Sequence, residues 1–202
     1  MDLREDVDQS LADRERDLRE RAGDGDPSAC RELAELLLAQ RARRSVVDVA
    51  FDQGDEAQLD EVRELYRSAA EAGDIVAQYH IGQMHYKGWY GAPHDYRVAF
   101  RWLQRAAGDG YQEAQYRLFL MHRDGTGAPQ NFVRAHVWLN LCSASWGPII
   151  DDWPTAVRPE ALKEIGKTVA GALRQLEEKM MPDELVEARR LATTWWERHT
   201  AS

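Results

Sequence analysis

Residues 73–110 (GDIVAQYHIGQMHYKGWYGAPHDYRVAFRWLQRAAGDG) and residues 110–146 (GYQEAQYRLFLMHRDGTGAPQNFVRAHVWLNLCSASW) decide the fold, because the second repeats the first. Gly73 matches Gly110, Ala77-Gln78-Tyr79 matches Ala114-Gln115-Tyr116, Ile81 matches Leu118, and Met84-His85 matches Met121-His122. The offset is 37 residues in this half and 36 further on, where Trp102 meets Trp138. One extra residue lies between Gly88 and Gly91. A period of this length marks stacked supersecondary units that bury a continuous core between them.

Each unit reads as helix, loop, helix. Ala77, Ile81 and Met84 fall at i, i+4 and i+7, one face of a helix. The loop GWYGAPHD carries glycines that tolerate positive φ and a proline that stops a helix. Asp95, and Asn131 in the next unit, are good N-caps for the second helix. There Ala99, Trp102 and Ala106 lie at i, i+3 and i+7, and Phe100, Leu103 and Ala107 follow one position on. So wide a stripe suits a helix covered on two sides. Gly73 and Gly110 punctuate the turns between units. No segment alternates in a sustained two-residue period, and the β-leaning SVVDVAF is short.

The pattern extends upstream. Val62, Leu65, Tyr66 and Ala69-Ala70 precede Ala99, Trp102, Leu103 and Ala106-Ala107 by 37 residues. Ala29, Leu33 and Leu36 precede Ala77, Ile81 and Met84 by 48, so the first unit has a longer connection, RARRSVVDVAFDQGD at 41–55. Leu18, Ala22 and Gly25 precede Leu103, Ala107 and Gly110 by 85, as a lone second helix would. The expected organisation is therefore a capping helix in 1–25, then units at 26–73, 74–110 and 111–146. An inserted segment (GPIIDDWPTAV, 147–157) and terminal helices fill 147–202.

The chain has 202 residues, enough to bury a core without covalent staples. At 44% apolar and 30% charged it has a globular composition. Thirty-five acids against 26 bases give a net charge of −9, which repels phosphate, so no nucleic-acid partner is expected. No run of 18 apolar residues exists, so no membrane span is expected. The start, MDLREDVDQS, has no basic stretch followed by an apolar one, and two cysteines make no disulfide framework. These features suggest a reduced, cytoplasmic protein. Only four bases are lysines, which reflects genome composition rather than function.

These units resemble the Sel1-like repeats, α/α repeats related to tetratricopeptide repeats but with a longer inter-helix loop. The family pattern runs A-x-x-x-L-G-x-hydrophobic-Y-x-x-G-x-G-V-x-x-D, then A-x-x-W-hydrophobic-x-x-A-A-x-x-G. Residues 77–110 match it closely, and Leu118, the GTGAPQN of 125–131 and the AHVWL of 135–139 carry it onward. The end, MMPDELVEARRLATTWW, resembles the terminal helix that closes such arrays. There are departures: His85 and His122 replace the family tyrosine, Phe119 replaces a glycine, and Met181 stands where a threonine would cap the last helix. The last change forgoes about 1 kcal/mol of capping.

The resemblance implies an all-α, right-handed α/α solenoid of about three repeats with a helical cap at each end. It implies a concave face lined by the first helices and a protein–protein interaction scaffold, adaptor or regulator. Outside the core stripe, that face would present Glu32 and Glu35, then His80, Gln83 and Lys87, then Arg117, Leu120 and Asp124. A dedicated inhibitor of one partner, such as a toxin-neutralising immunity protein, is the alternative reading. A metal-assisted hydrolase built around His80, His85 and His122 is the third.

The remaining constellations read mostly as structure. His85 and His122 are equivalent and could approach on stacked helices, which lie ~8–10 Å apart. No carboxylate or cysteine recurs with them, however, and zinc needs three or four ligands. They read as packing residues in the tyrosine slot. Trp102 and Trp138 are core by period. Trp89, Trp146 and Trp153 lie off the period, and Trp89 and Trp153 are candidate contact residues, since tryptophan is enriched at interface hot spots. Trp195-Trp196 places one ring in the cap and one outside it. The RARR of 41–44 is followed by acids and reads as a solvated loop. Cys30 and Cys142 read as small buried hydrophobes. No phosphate loop, nucleophile elbow or catalytic pairing is present. The reading is a non-enzyme with no cofactor or metal, a protein or peptide partner, and a monomeric or weakly homo-oligomeric state.

Overall fold

A computed structural model describes residues 3–47, 54–151 and 160–200. Among these there are nine α-helices and no strand. They are α1 (Leu3–Gly23), α2 (Pro27–Val47), α3 (Gly54–Glu71), α4 (Ile75–Lys87), α5 (Tyr96–Gly108), α6 (Gln112–Asp124), α7 (Phe132–Asp151), α8 (Glu160–Glu177) and α9 (Pro182–Thr200). A 3-10 turn, Trp89–Gly91, follows α4. The chain forms two compact units, residues 1–95 and 96–202. In the first, α1 packs on α2, α2 on α3, and α3 on α4, with the 3-10 turn against α3 and α4. In the second, α5 packs on α6, α6 on α7, and α7 on both α8 and α9.

Three turns between helices are copies of one another. Gly25, Gly73 and Gly110 take left-handed φ of 86°, 99° and 90°. The next residue donates its N–H five positions back, Asp26 to Arg21, Asp74 to Ala69 and Tyr111 to Ala106, at 2.9–3.0 Å. These bonds satisfy helix-end carbonyls that would otherwise be orphaned. A side chain adds a third element. Gln78 Nε2 donates to the Ala70 carbonyl (3.4 Å), Gln115 Nε2 to that of Ala107 (3.3 Å), and the Cys30 thiol to that of Ala22 (3.8 Å). The caps differ. Asp26 accepts from Ser28 and Ala29 N–H, and Asp74 from Ala77 N–H, whereas Tyr111 supplies no side-chain cap.

The repeated apolar stripe forms the core of each unit. Leu33, Val62, Tyr66, Ala69, Ala70, Ala77, Ile81 and Met84 are buried in the first. Ala99, Leu103, Ala106, Ala114, Leu118, Met121, Ala135 and Leu139 are buried in the second. Phe119, at the family's glycine position, packs with Ala135, Leu139 and Leu176, the last on α8. The bulky ring thus meets a terminal helix in the second unit. Both free cysteines are buried.

Several boundaries differ from expectation. Residues 41–47 are not loop but the end of α2, because Ala42 and the three arginines of this stretch are strong helix formers and continue LLLAQ without a break. Residues 54–55 already belong to α3, and 48–53 lie outside the described residues. Likewise α7 continues through Asp151 despite Gly147 and Pro148. A proline one turn from the helix end removes a hydrogen bond without stopping the last residues. The rest of the expected 147–157 insertion lies outside the described residues. Asn131 caps α7, accepting from Arg134 N–H at 2.8 Å. At α9, Glu184 accepts the Met181 N–H at 2.8 Å, so one half of a capping box survives the missing threonine. Trp195 stacks on His199 with ring centroids 4.0 Å apart, and Trp196 is exposed.

Candidate functional site

In the first unit, α2, α3 and α4 assemble a charged rim beside aromatic rings. Arg31 on α2 bonds Glu35 one turn on (3.0 Å) and Asp74 at the start of α4 (3.1 Å). Asp74 is held twice, since its other oxygen caps α4 through Ala77 N–H at 2.7 Å. The Glu35 side chain keeps 43% of its surface in solvent. Tyr66, fully buried on α3, lies 4.9 Å from the His80 ring, and Tyr79 meets His80 edge-on at 5.7 Å. Burial, and next the Glu35 charge, raises the Tyr66 hydroxyl pKa well above the tyrosine range. Burial pushes the His80 imidazole down, against the pull of Glu35 and Asp74, and so favours its neutral form.

The other expected contact residues are dispersed. Gln83 shares the His80 side of α4 but is only 5% exposed, and its Nε2 has no hydrogen-bond partner. The expectation that it stands clear of the core is corrected: the helical period shows which residues share a side, not how much neighbouring elements cover. Lys87 is exposed, 5.7 Å from the Tyr86 ring centroid. Trp89 is half exposed on the 3-10 turn, 6.3 Å from Tyr90, whose carbonyl accepts from Arg63 (2.6 Å). In the second unit Arg117 and Leu120 are half-buried on α6. Leu120 packs against the Phe119–Leu139–Leu176 cluster, so it too is largely a core residue. Trp153 lies outside the described residues.

Sequence reasoning missed Arg31, Tyr66 and Asp74 as members of one site. Arg31 and Glu35 do carry an i, i+4 signal. Arg31 and Asp74 are 43 residues apart, and no local pattern announces that bond.

Two of the three histidines of the hydrolase reading serve loop closure and packing between neighbouring helices. His85 Nδ1 bonds the Pro93 carbonyl at 3.0 Å, and its own carbonyl accepts from Asp95 N–H. The His122 carbonyl accepts from Asn131 N–H in the same way, while its ring packs edge-on to Phe100 at 5.2 Å. Burial, then the charge of Arg134, lowers the His122 pKa to about 4. Among the described residues no three His, Cys, Asp or Glu side chains gather to hold a metal, and no helix is long and apolar enough to cross a membrane.

Consecutive helix pairs joined by identical turns define an α/α repeat protein of the solenoid class. Comparison with known proteins narrows the class. The Sel1 repeat model matches residues 63–74, 75–111 and 112–141. A Sel1 repeat protein from Oxalobacter formigenes is 30% identical, with a TM-score of 0.55, covering 75% of this chain and 96% of that one. A protective antigen present in uropathogenic Escherichia coli strains, displaying an SLR fold, is 22% identical. Its TM-score is 0.64 over 91% of this chain and 32% of that one, a likeness of fold. An F-box protein from Arabidopsis thaliana is 31% identical over 81 residues. That stretch is 40% of this chain and about a fifth (22%) of the F-box protein. The chain belongs to the Sel1-repeat family, whose repeats generally mediate protein–protein interaction.

Proposed function

We propose that this protein is a cytoplasmic adaptor or regulator that holds a protein or peptide on the face bearing Arg31, Glu35 and His80. The observation that carries the reading is the Arg31–Glu35–Asp74 rim beside the Tyr66–His80 pair. Preset charges beside the half-buried His80 ring, itself backed by buried Tyr66, favour recognition, because little side-chain ordering is left to binding. Two buried free thiols support a reducing compartment. A dedicated inhibitor is the narrower form of this reading. It draws on the 22 acids against 12 bases of residues 1–95, which would favour a single basic partner.

The test is affinity capture from native lysate, with wild type beside a Glu35→Arg/His80→Ala variant whose helicity is checked by circular dichroism. One protein captured by wild type and lost with the folded variant is the expected result. A partner retained by both would move the site to Trp89 and the loops. No partner with either would overturn the adaptor reading.

A further inference from the structure

Helix α5 carries three arginines and no acid. Arg97, Arg101 and Arg105 follow at i, i+4 and i+8, all exposed, in a row with a step of about 6 Å. Among the described residues Arg101 and Arg105 form no ion pair, and the Arg105 guanidinium lies 4.7 Å from the centroid of half-buried Trp102. The repeat supplies two internal controls. Thirty-seven residues earlier, Asp60, Glu64 and Ser68 hold the same row of α3, and the two acids pair with Arg63 and Arg67 of their own helix. Thirty-six residues later, the row is Val133, Val137 and Leu141 on α7, the helix on which α8 and α9 pack. One row is self-neutralised and one is apolar. Of the three rows only that of α5 gathers cations, and like charges at i, i+4 disfavour a helix by roughly 0.2–0.5 kcal/mol per pair.

We propose that this row is a docking surface for an acidic peptide segment of a partner protein, distinct from the Arg31–Glu35 face. Carboxylates on every fourth residue of a helix, or alternate residues of a strand, recur at about 6–7 Å and match the row. Arginine forks bind carboxylates in bidentate fashion, and Trp102 adds apolar area beside them. A short acidic segment is favoured over a nucleic acid because the whole chain carries a net charge of −9, which repels a long polyanion.

The test uses the full chain and a fluorescent, end-capped helical peptide with glutamate at every fourth position, read by anisotropy. The controls are its glutamine counterpart and a single-stranded DNA of equal charge. The glutamate peptide alone should bind wild type, and Arg101→Glu/Arg105→Glu should weaken it roughly tenfold or more. The milder Arg101→Gln/Arg105→Gln pair keeps the test valid if charge reversal disturbs folding. Glu35→Arg should leave peptide binding intact, which separates this surface from the adaptor face. Equal binding by wild type and both double variants would overturn the proposal. DNA binding as tight as the peptide's would make the row a general polyanion surface. Wild-type self-association abolished by the same substitutions would make the occupant a second copy.

Discussion

The loop after α4 and the loop after α6 are built on the same glycines, yet they exclude side chains for different reasons. Gly91 and Gly127 both take left-handed backbone, with φ of 69° and 75°. A Cβ on Gly91 would lie 2.5 Å from Arg63 Nη1, the movable tip of a long side chain. A Cβ on Gly127 would lie 2.3 Å from the Tyr96 carbonyl oxygen and 2.8 Å from its carbon, which cannot move without shifting α5. The first loop has one residue more, and Tyr90 within it takes a positive φ of 55°. One glycine is needed for its torsion, the other for its torsion and its space. The units differ as sharply outside. Residues 1–95 hold 22 acids and 12 bases, while residues 96–202 hold 13 acids and 14 bases. A shared backbone therefore constrains turns and core tightly and leaves surface charge free to diverge.

Removing residues 182–202 should give the largest effect, at least ~3 kcal/mol, because α9 covers α7 and buries Ala188. Light scattering should show self-association of the truncated chain. A monomer with unchanged melting would contradict the capping role. Next, Gly127→Ala should destabilise by about 3 kcal/mol or more and Gly91→Ala by about 1 kcal/mol, compared by urea midpoints. Equal losses would erase the distinction between the loops.

A smaller effect depends on pH. The His122 pKa is about 4 in the folded protein, below the ordinary 6.5. Between those values the unfolded chain binds a proton that the folded chain does not. Stability should therefore fall by about 2–3 kcal/mol as pH drops from 6.5 to 4, and stay level above. His122→Phe, which keeps a ring against Phe100, should flatten that slope in pH-resolved melts; an unchanged slope would place the acid sensitivity elsewhere. Smallest are the caps. Asp74→Ala should cost about 1 kcal/mol, and Tyr111→Asp should add about 0.5–1 kcal/mol by installing the missing cap. If Tyr111→Asp destabilises, the two turns are not interchangeable.

Much of this fold is legible in the period. Ala77, Ile81, Met84, Ala99 and Leu103 announce their helices and are buried. The turn glycines and the Asn131 cap are equally plain, since each acts within a few residues of itself. The site is less legible. Gln83 and Leu120 share the side of α4 or α6 expected to be open, but burial depends on what covers a helix side, and spacing is silent on that. The Arg31–Asp74 bond directly joins α2 to the start of α4, elements separated in sequence by all of α3, and the extension of α2 to Val47 sets helix propensity against a β-leaning stretch.

The side-chain bonds across the turns bear on how such a chain could be recombined. Cys30, Gln78 and Gln115 each reach back eight residues to a carbonyl of the preceding helix. An insertion or a crossover inside those eight residues would break the bond and the glycine turn together. The connections on the other side of each first helix tolerate change, as the longer spacing of the first unit (48 residues against 37) and the extra residue at Tyr90 demonstrate. The transferable cassette is thus second helix, turn, first helix, as in α3–α4 or α5–α6. A gene built by shuffling these cassettes should be cut within residues 88–95 or 125–131, half a repeat out of phase with the conventional unit.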